Sequence, residues 1–442
     1  MATVNRRNTT TPVAHTHEGG RAAVVTPFEE LTRSVLACLL FEDSFYEDGE
    51  TAAARITRLV HACDIRRVLE LARSARLAYG LRSAPAWLIN AVWSHPQRAA
   101  CEPSHIVKAI DDICIRPDDM GELVAMYWMQ SKRPLPASLK RGLAQAFPKF
   151  SFYQLAKYAK RGNIRLRDVL RLVHPAPKDA EQSNMWKRLA NDELESADTW
   201  EVALSNGADK RDTFTRLLSD GKLGALALLR NLRNMYEARV APDLIASELM
   251  RLAPRSKLFP FQFIAAARAV PQWETMLDEP MMAASRELNQ LPGRTALLVD
   301  TSGSMRGQLS RRSTLDRLDG AKGLAIMCRE MCQDVDVYTF DTQCHVIPPR
   351  HGFALGDAIG DARGGTDISG AVRTAANNHQ YDRYIIFTDE QSSSGMLGAP
   401  PNGAKGYIMN VAAYQHGVGY GKWTTISGFS ENVLRFIEVE EM

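Results

Sequence analysis

Apolar residues recur at helical spacing over the first part of the chain. In one segment Ile56, Leu59, Val60 and Cys63 fall at positions i, i+3, i+4 and i+7, which place them on one helix face. Prolines separate such segments, and each proline ends one helix or begins the next. The pattern predicts many short helices in series over residues 25–290, arranged as an α-solenoid. An irregular helical bundle is the alternative.

The pattern changes near Pro292-Gly293, where strands begin to alternate with helices. RTALLVD, VDVYTF and RYIIFT read as almost wholly apolar strands, and LDGAKGLAIMCREM and ISGAVRTAANN read as amphipathic helices. This alternation predicts a doubly wound parallel α/β sheet over residues 291–442, with both faces covered. Residues 1–24 are polar and predict a disordered tail without the apolar segment of a secretion signal.

Three polar segments follow predicted strands in this second domain. They are Asp300-Thr301-Ser302-Gly303-Ser304, Gly364-Gly365-Thr366-Asp367 and Phe387-Thr388-Asp389. Ligand sites in open α/β sheets form at the carboxyl ends of strands, so the three segments are expected to converge. Their hydroxyl and carboxylate oxygens suit a hard divalent cation such as Mg²⁺. The direct ligands would be Ser302, Ser304 and, directly or through water, Thr366, with Asp300 and Asp389 holding bound waters.

Charge is distributed unevenly along the chain. The net charge is +3, but residues 132–171 contain eleven lysines and arginines and only one acid, Asp168. Such a stretch predicts a polyanionic partner. The alternative is a solvated helical face whose charges pair with acids elsewhere in the fold.

Composition excludes several classes of protein. No apolar run is long enough for a transmembrane helix. Seven cysteines in a chain of 442 residues do not indicate a secreted disulfide framework, and a cytoplasmic location is expected. No nucleophile–base pair is evident near Ser302, so an enzyme is not expected.

The metal-site segments resemble the metal-ion-dependent adhesion site of von Willebrand factor A domains. The resemblance covers residues 291–442 and implies a metal with an open position that accepts an acidic group from a partner protein, such as an exonuclease. The chain departs from the family after Asp389, where Glu390 and Gln391 could change what the metal contacts.

The whole chain after the tail resembles the Ro ribonucleoprotein (TROVE-module) family. YQLAKYAKRGNIRLRDVLRLVHPAP, LGALALLRNLRNM and LFPFQFIAAA carry the resemblance in the helical part. It implies a monomeric ring of HEAT-like repeats around a positively charged hole, closed by the A-domain. Single-stranded 3′ ends of misfolded RNAs would enter the hole, small noncoding Y-like RNAs would bind the outer surface, and the protein would act in RNA quality control.

The resemblance also indicates residues that would contact RNA. Lys157 and His174 match RNA-contacting residues of the family, and Arg161 lies in the same loop. Charge and spacing add Lys160, Arg165, Arg167 and Arg171. Among the interleaved aromatics, helical spacing favours a core position for Phe152 and an exposed one for Tyr158.

Two other functions stay open on the sequence. The chain could be an adaptor that recruits protein partners through the A-domain metal while the solenoid acts as a scaffold. It could also be a metal-dependent nuclease, but a single metal site with few carboxylates is poorly equipped for that reaction.

Overall fold

The structure is a computed structural model, and it places the helices in the first part of the chain. It describes residues 26–37, 49–131, 133–160, 162–195, 197–256, 258–285, 290–308, 314–392, 397–411 and 422–427, and single residues at 434, 437 and 441. The predicted tail, residues 1–24, lies outside these ranges. The helices α1 to α17 are Pro27–Ala37, Gly49–His61, Ile65–Leu77, Ser83–Ala91, Pro103–Ile113, Pro117–Gln130, Ala137–Ala146, Phe152–Tyr158, Leu166–Val173, Ala180–Ala190, Trp200–Ser205, Lys210–Ser219, Ala225–Arg230, Leu232–Glu237, Pro242–Leu252, Pro260–Ala269 and Glu274–Ser285.

Local chemistry explains where many of these helices begin. Proline occupies the first helical position of α5, α6, α15 and α16, where its missing N–H costs nothing. The Asp64 side chain caps α3 by accepting hydrogen bonds from the backbone N–H groups of Arg66 and Arg67. The prediction of short helices in series is confirmed.

The second part of the chain is a six-stranded sheet with helices. Its elements are β1 Leu291–Asp300, α18 Arg317–Met331, β2 Cys332–Phe340, β3 Cys344–Ile347, α19 Gly352–Ile359, α20 Ile368–Asn378, β4 Arg383–Thr388, β5 Lys405–Asn410 and β6 Thr424–Ser427. The strand order is β3-β2-β1-β4-β5-β6. All neighbouring pairs are parallel except β2 and β3.

The predicted doubly wound sheet is therefore confirmed, with one difference at its edge. The antiparallel strand β3 and the last described strand β6 have only four residues each, too few for a clear apolar pattern.

The helical part packs closely on the sheet domain. Phe263 of α16, Leu277 of α17 and Leu324 of α18 belong to one apolar core that continues into β1. Arg268 of α16 makes two hydrogen bonds of 2.6 Å to the carboxylate of Asp319 on α18. Gly323 permits this close approach, because a Cβ there would lie 2.8 Å from the backbone nitrogen of Phe261.

A second contact joins the two ends of the described chain. Helix α1, at the beginning, contacts β6, at the sheet edge, while α16 and α17 contact α18 from the other end of the solenoid. Both ends of the helical part therefore contact the sheet domain. Within the described part of the chain, no helix is long and apolar enough to cross a membrane.

Candidate functional site

The sheet topology brings the predicted metal-site segments together. Strands β1 and β4 are parallel neighbours, with Val299 opposite Phe387, so Asp300 and Asp389 emerge at the same edge. The chain leaves β1 for β2 on one side and reaches β4 on the other, which makes this edge a topological switch point, where crevices form. We call Asp300, Ser302, Ser304, Thr366 and Asp389 the sheet-edge site.

Hydrogen bonds fix the first segment of the sheet-edge site. The Asp300 carboxylate is fully buried and accepts a bond of 2.8 Å from the Ser302 backbone N–H and one of 2.5 Å from the Thr388 hydroxyl. The hydroxyl oxygens of Ser302 and Ser304 lie 3.1 Å apart. Two hydroxyls at this separation can contact one small cation.

The second segment is tied to the first through its backbone. The Gly303 N–H donates to the Gly364 carbonyl at 3.0 Å, and the Arg363 N–H donates to the Thr301 carbonyl at 2.6 Å. Gly364 has φ of +67°, a conformation that favours glycine. Thr366 is buried two residues after Gly364, and the bond from Thr388 to Asp300 ties the third segment to the first, so the three segments lie in one region.

A buried arginine also belongs to this region, and the sequence analysis missed it. Arg317, at the start of α18, is 3% exposed. Its Nη1 lies 3.3 Å from Asp389 Oδ2 and 3.4 Å from the Ser304 carbonyl oxygen. An arginine in the first turn of a helix has no sequence signature that would place it here. The protein therefore supplies a cation of its own beside Asp389.

Glu390 and Gln391, where the chain departs from the von Willebrand factor A pattern, are both buried beside the sheet-edge site. Glu390 is buried with φ of +57°, and its Oε1 accepts a hydrogen bond of 2.8 Å from the Asn410 side-chain amide at the end of β5. The Gln391 backbone N–H donates to Asp389 Oδ1 at 3.2 Å. Glu390 is thus bonded to β5, while Gln391 helps to hold Asp389.

The electrostatics of the sheet-edge site favour a cation. Burial, together with the nearby charge of Asp389, raises the pKa of the Asp300 carboxyl to about 7. A divalent ion would offset the cost of two buried carboxylates, and the hydroxyl and carboxylate donors suit Mg²⁺. Among the described residues, no cluster of three or more His, Cys, Asp or Glu side chains could hold a metal, so hydroxyls and waters would have to complete the shell.

The basic stretch forms a second candidate site on the helical part. Lys157 on α8 and Lys160 just after it line a cleft of about 320 Å³ with residues of α11, including Glu201 and Ser205. We call this cleft the basic groove. In the described part of the chain, no ion pair joins Lys157 or Lys160 to an acid. Their charges are available to a ligand.

The other predicted arginines are tied to the protein itself. Arg167 Nη1 lies 2.5 Å and Arg165 Nη1 3.7 Å from Asp192 Oδ2, and Arg171 Nη2 donates to the Ala190 carbonyl at 2.6 Å. Asp192 follows α10, which packs on α9. The structure thus supports the alternative of pairing with acids elsewhere for Arg165 and Arg167.

The remaining predicted contacts lie at the ends of α8 and α9. His174 is exposed at the C-terminus of α9 in a left-handed conformation with φ of 47°, and its backbone N–H donates to the Leu170 carbonyl at 3.0 Å. Arg161 lies outside the described residues.

The core position expected for Phe152 is wrong. Phe152 and Tyr153 are 40% and 47% exposed, because the short helix α8 buries its other face through Leu155. The Arg188 guanidinium lies 5.7 Å above the Phe152 ring. Tyr158, expected to be exposed, is half-buried, with the Arg116 guanidinium 4.8 Å from its ring centroid.

Comparisons with known proteins agree with this architecture. The family model "TROVE domain" matches residues 97–194 and 187–323, which together span just over half of the chain. A solved structure described as the Deinococcus radiodurans RO (RSR) protein superposes with a TM-score of 0.62 at 18% identity. The match covers 94% of this chain and 100% of the other, so the helical part and the sheet domain share that protein's fold.

Proposed function

We propose that this chain, which belongs to the TROVE domain family, is an RNA-binding protein whose basic groove contacts the RNA. The observation that carries the proposal is that two cations without an acidic partner among the described residues, Lys157 and Lys160, lie at the end of the short helix that exposes the rings of Phe152 and Tyr153. Cations bind phosphates and give most of the affinity, and rings stack on unpaired bases.

The RNAs that fit this surface have single-stranded segments. Bases in duplex RNA are shielded, whereas bases in single strands can stack on aromatic rings. We therefore propose that the ligands are small structured noncoding RNAs, Y-like in size, and single-stranded 3′ ends of misfolded RNAs, in a ribonucleoprotein that serves RNA quality control in the cytoplasm. The contacts of α1 with β6 and of α16 and α17 with α18 support a ring formed within one monomeric chain.

The proposal includes a divalent metal, Mg²⁺, at the sheet-edge site. Ser302, Ser304 and Thr366 would hold it, while Asp300 and Asp389 would orient bound waters, as the converging segments support. The bound ion would offer an acceptor position to an acidic side chain. Among the described residues no hydrogen bond joins Ser302 Oγ to a histidine, so we assign the chain no catalytic step.

The same geometry supports a second function, recruitment of a protein partner such as an exonuclease through the metal. A partner that is captured in Mg²⁺, released by EDTA and lost in Asp300→Ala would support this role. It is compatible with RNA binding, since the sheet-edge site and the basic groove use different residues.

The charge-reversed variant Lys157→Glu/Lys160→Glu tests the proposed RNA site. We expect it to bind a labelled small RNA with a single-stranded 3′ tail at least tenfold more weakly than the wild-type chain, because phosphate contacts dominate affinity. Lys210→Glu/Arg211→Glu on α12 is the matched control, since it makes the same change in net charge on exposed residues outside the groove. Equal losses in both variants would contradict the assignment of the groove.

A further inference from the structure

A cavity larger than the basic groove is lined by residues of α2, α4 and α6. It shares no lining residue with the basic groove. It has a volume of about 1200 Å³. This exceeds the roughly 300–1,000 Å³ of typical small-molecule sites, so it can accept a base together with its sugar and phosphate. We call it the aromatic cavity.

Residue spacing along α4 builds one wall of the aromatic cavity. Trp87, Asn90 and Trp93 recur at every third position through α4 and the 3₁₀ turn Val92–Ser94, which places them on one side. Trp87 Nε1 donates to the Ala53 carbonyl and to the Thr57 hydroxyl, both at 3.1 Å. These bonds hold the indole of Trp87 against α2.

The neighbouring part of the lining is also aromatic and fixed. Tyr127 of α6 donates its hydroxyl to the Pro134 carbonyl at 3.1 Å. Its ring meets that of Trp93 edge to face, with centroids 6.5 Å apart. The cavity therefore has preorganised aromatic walls, which lowers the entropy cost of binding a flat ring.

Two residues of this wall carry polar atoms that lack partners. Asn90 is 1% exposed, and its side-chain oxygen accepts no hydrogen bond among the described residues, although its amide nitrogen donates to the Ala86 and Leu123 carbonyls. Trp93 Nε1 is likewise buried without an acceptor in the described chain. Buried polar groups in folded proteins are almost always paired, so these two unpaired atoms beside the cavity are unusual, although neither has contact with solvent.

The charge of the cavity lining indicates an anionic ligand. Arg58 and Arg133 line the cavity and are exposed, and the residues that line it include no aspartate or glutamate. His61 also lines it, with Nε2 3.0 Å from the Ser94 hydroxyl. Aromatic walls and exposed arginines together match a nucleobase attached to a phosphate.

We infer that the aromatic cavity binds one unstacked nucleotide, with the base against the Trp93 wall and the phosphate at Arg58 and Arg133. The inference rests on the proposed RNA-binding function and deepens it, because it adds a base-binding subsite that the basic groove does not contain. The nucleotide could belong to an RNA strand or be a free mononucleotide. Binding measurements with RNA and with free AMP or UMP distinguish these two sources.

Trp93→Leu in the full-length chain provides the test, because Trp93 is only partly buried. The probes are a ten-nucleotide single-stranded RNA and an abasic strand of the same length, each measured by fluorescence anisotropy. We expect the substitution to weaken binding of the RNA about tenfold and to leave binding of the abasic strand unchanged. Binding of AMP or UMP by the wild-type chain that is lost in Trp93→Leu would support the same subsite with the free nucleotide as its ligand.

Other outcomes overturn the inference without ambiguity. Equal binding of the RNA by Trp93→Leu and the wild-type chain, with a loss in Lys157→Glu/Lys160→Glu, would refute the subsite and leave the proposed function standing. No binding of any RNA by the wild-type chain would refute the proposed function itself. A photo-crosslink from 4-thiouridine RNA to residues 87–94 of the wild-type chain is expected independently of any variant, and crosslinks confined to residues 152–160 would contradict the cavity.

Discussion

The sheet-edge site and the basic groove are built in opposite ways. The sheet-edge site gathers buried residues that lie far apart in sequence, and hydrogen bonds between loops hold them in place. The basic groove takes both of its cations from residues close together in sequence, at the end of the short helix α8, and neither has an acidic partner among the described residues. The first is therefore part of the stability of the fold, whereas the second can change with little effect on folding.

The largest effect is expected at Arg317. Replacement of this buried arginine with methionine removes the guanidinium beside Asp389. Loss of one partner of a buried ion pair costs about 3–5 kcal/mol, so we expect Arg317→Met to lower the melting temperature strongly in EDTA and less so in Mg²⁺. Arg373→Met, at an exposed position of α20, is the control. A melting temperature like that of the wild type in EDTA would show that Asp389 does not need this cation.

Metal binding should stabilise the fold by a smaller amount. A ligand at one hundred times its Kd stabilises by about 2.7 kcal/mol, so saturating Mg²⁺ should raise the wild-type melting temperature by a few degrees. The shift should vanish in Ser302→Ala and persist in the control Ser369→Ala on α20. A shift of equal size in both variants would place the metal elsewhere.

The exposed rings of α8 should act on binding and not on stability. Base–ring stacking contributes about 1–3 kcal/mol per base, so Phe152→Ala should weaken binding of single-stranded RNA measurably. The free energy of unfolding should change by less than about 0.5 kcal/mol, as for most exposed positions. A large loss of stability without a loss of affinity would show that Phe152 contributes to packing and not to RNA binding.

The smallest effect should distinguish the two kinds of cation in the basic stretch. Each phosphate contact contributes roughly one to the slope of log affinity against log salt. Lys157→Ala should reduce that slope by about one, whereas Arg167→Ala should leave it nearly unchanged, because Arg167 is already paired with Asp192. Equal reductions would show that Arg167 leaves Asp192 to bind RNA.

The sequence predicted the sheet-edge region better than the helical surface, for a physical reason. The carboxyl ends of parallel strands meet at one edge, so the positions of Asp300 and Asp389 follow from strand order alone. The partner of Arg167 could not be predicted in this way, because Asp192 lies 25 residues away and reaches it only through the packing of α10 on α9.

Two other features depended on contacts that no local pattern encodes. Helical spacing alone favoured a core position for Phe152. Its exposure depends on which face of the seven-residue helix α8 packs against the rest of the protein. Asn90 and Trp93 are separated in sequence from the basic stretch, and only the assembled cavity reveals their unpaired polar atoms.

The most direct test of RNA binding uses protein purified from its native cell at low salt. Nucleic acid extracted from it is treated with RNase and DNase separately, and the DNase-resistant fraction is sequenced. We expect a discrete set of small structured RNAs that RNase destroys. Protein that carries no RNA, but releases a protein partner on addition of EDTA, would contradict RNA binding. The sheet-edge site would then be the binding site that the protein uses.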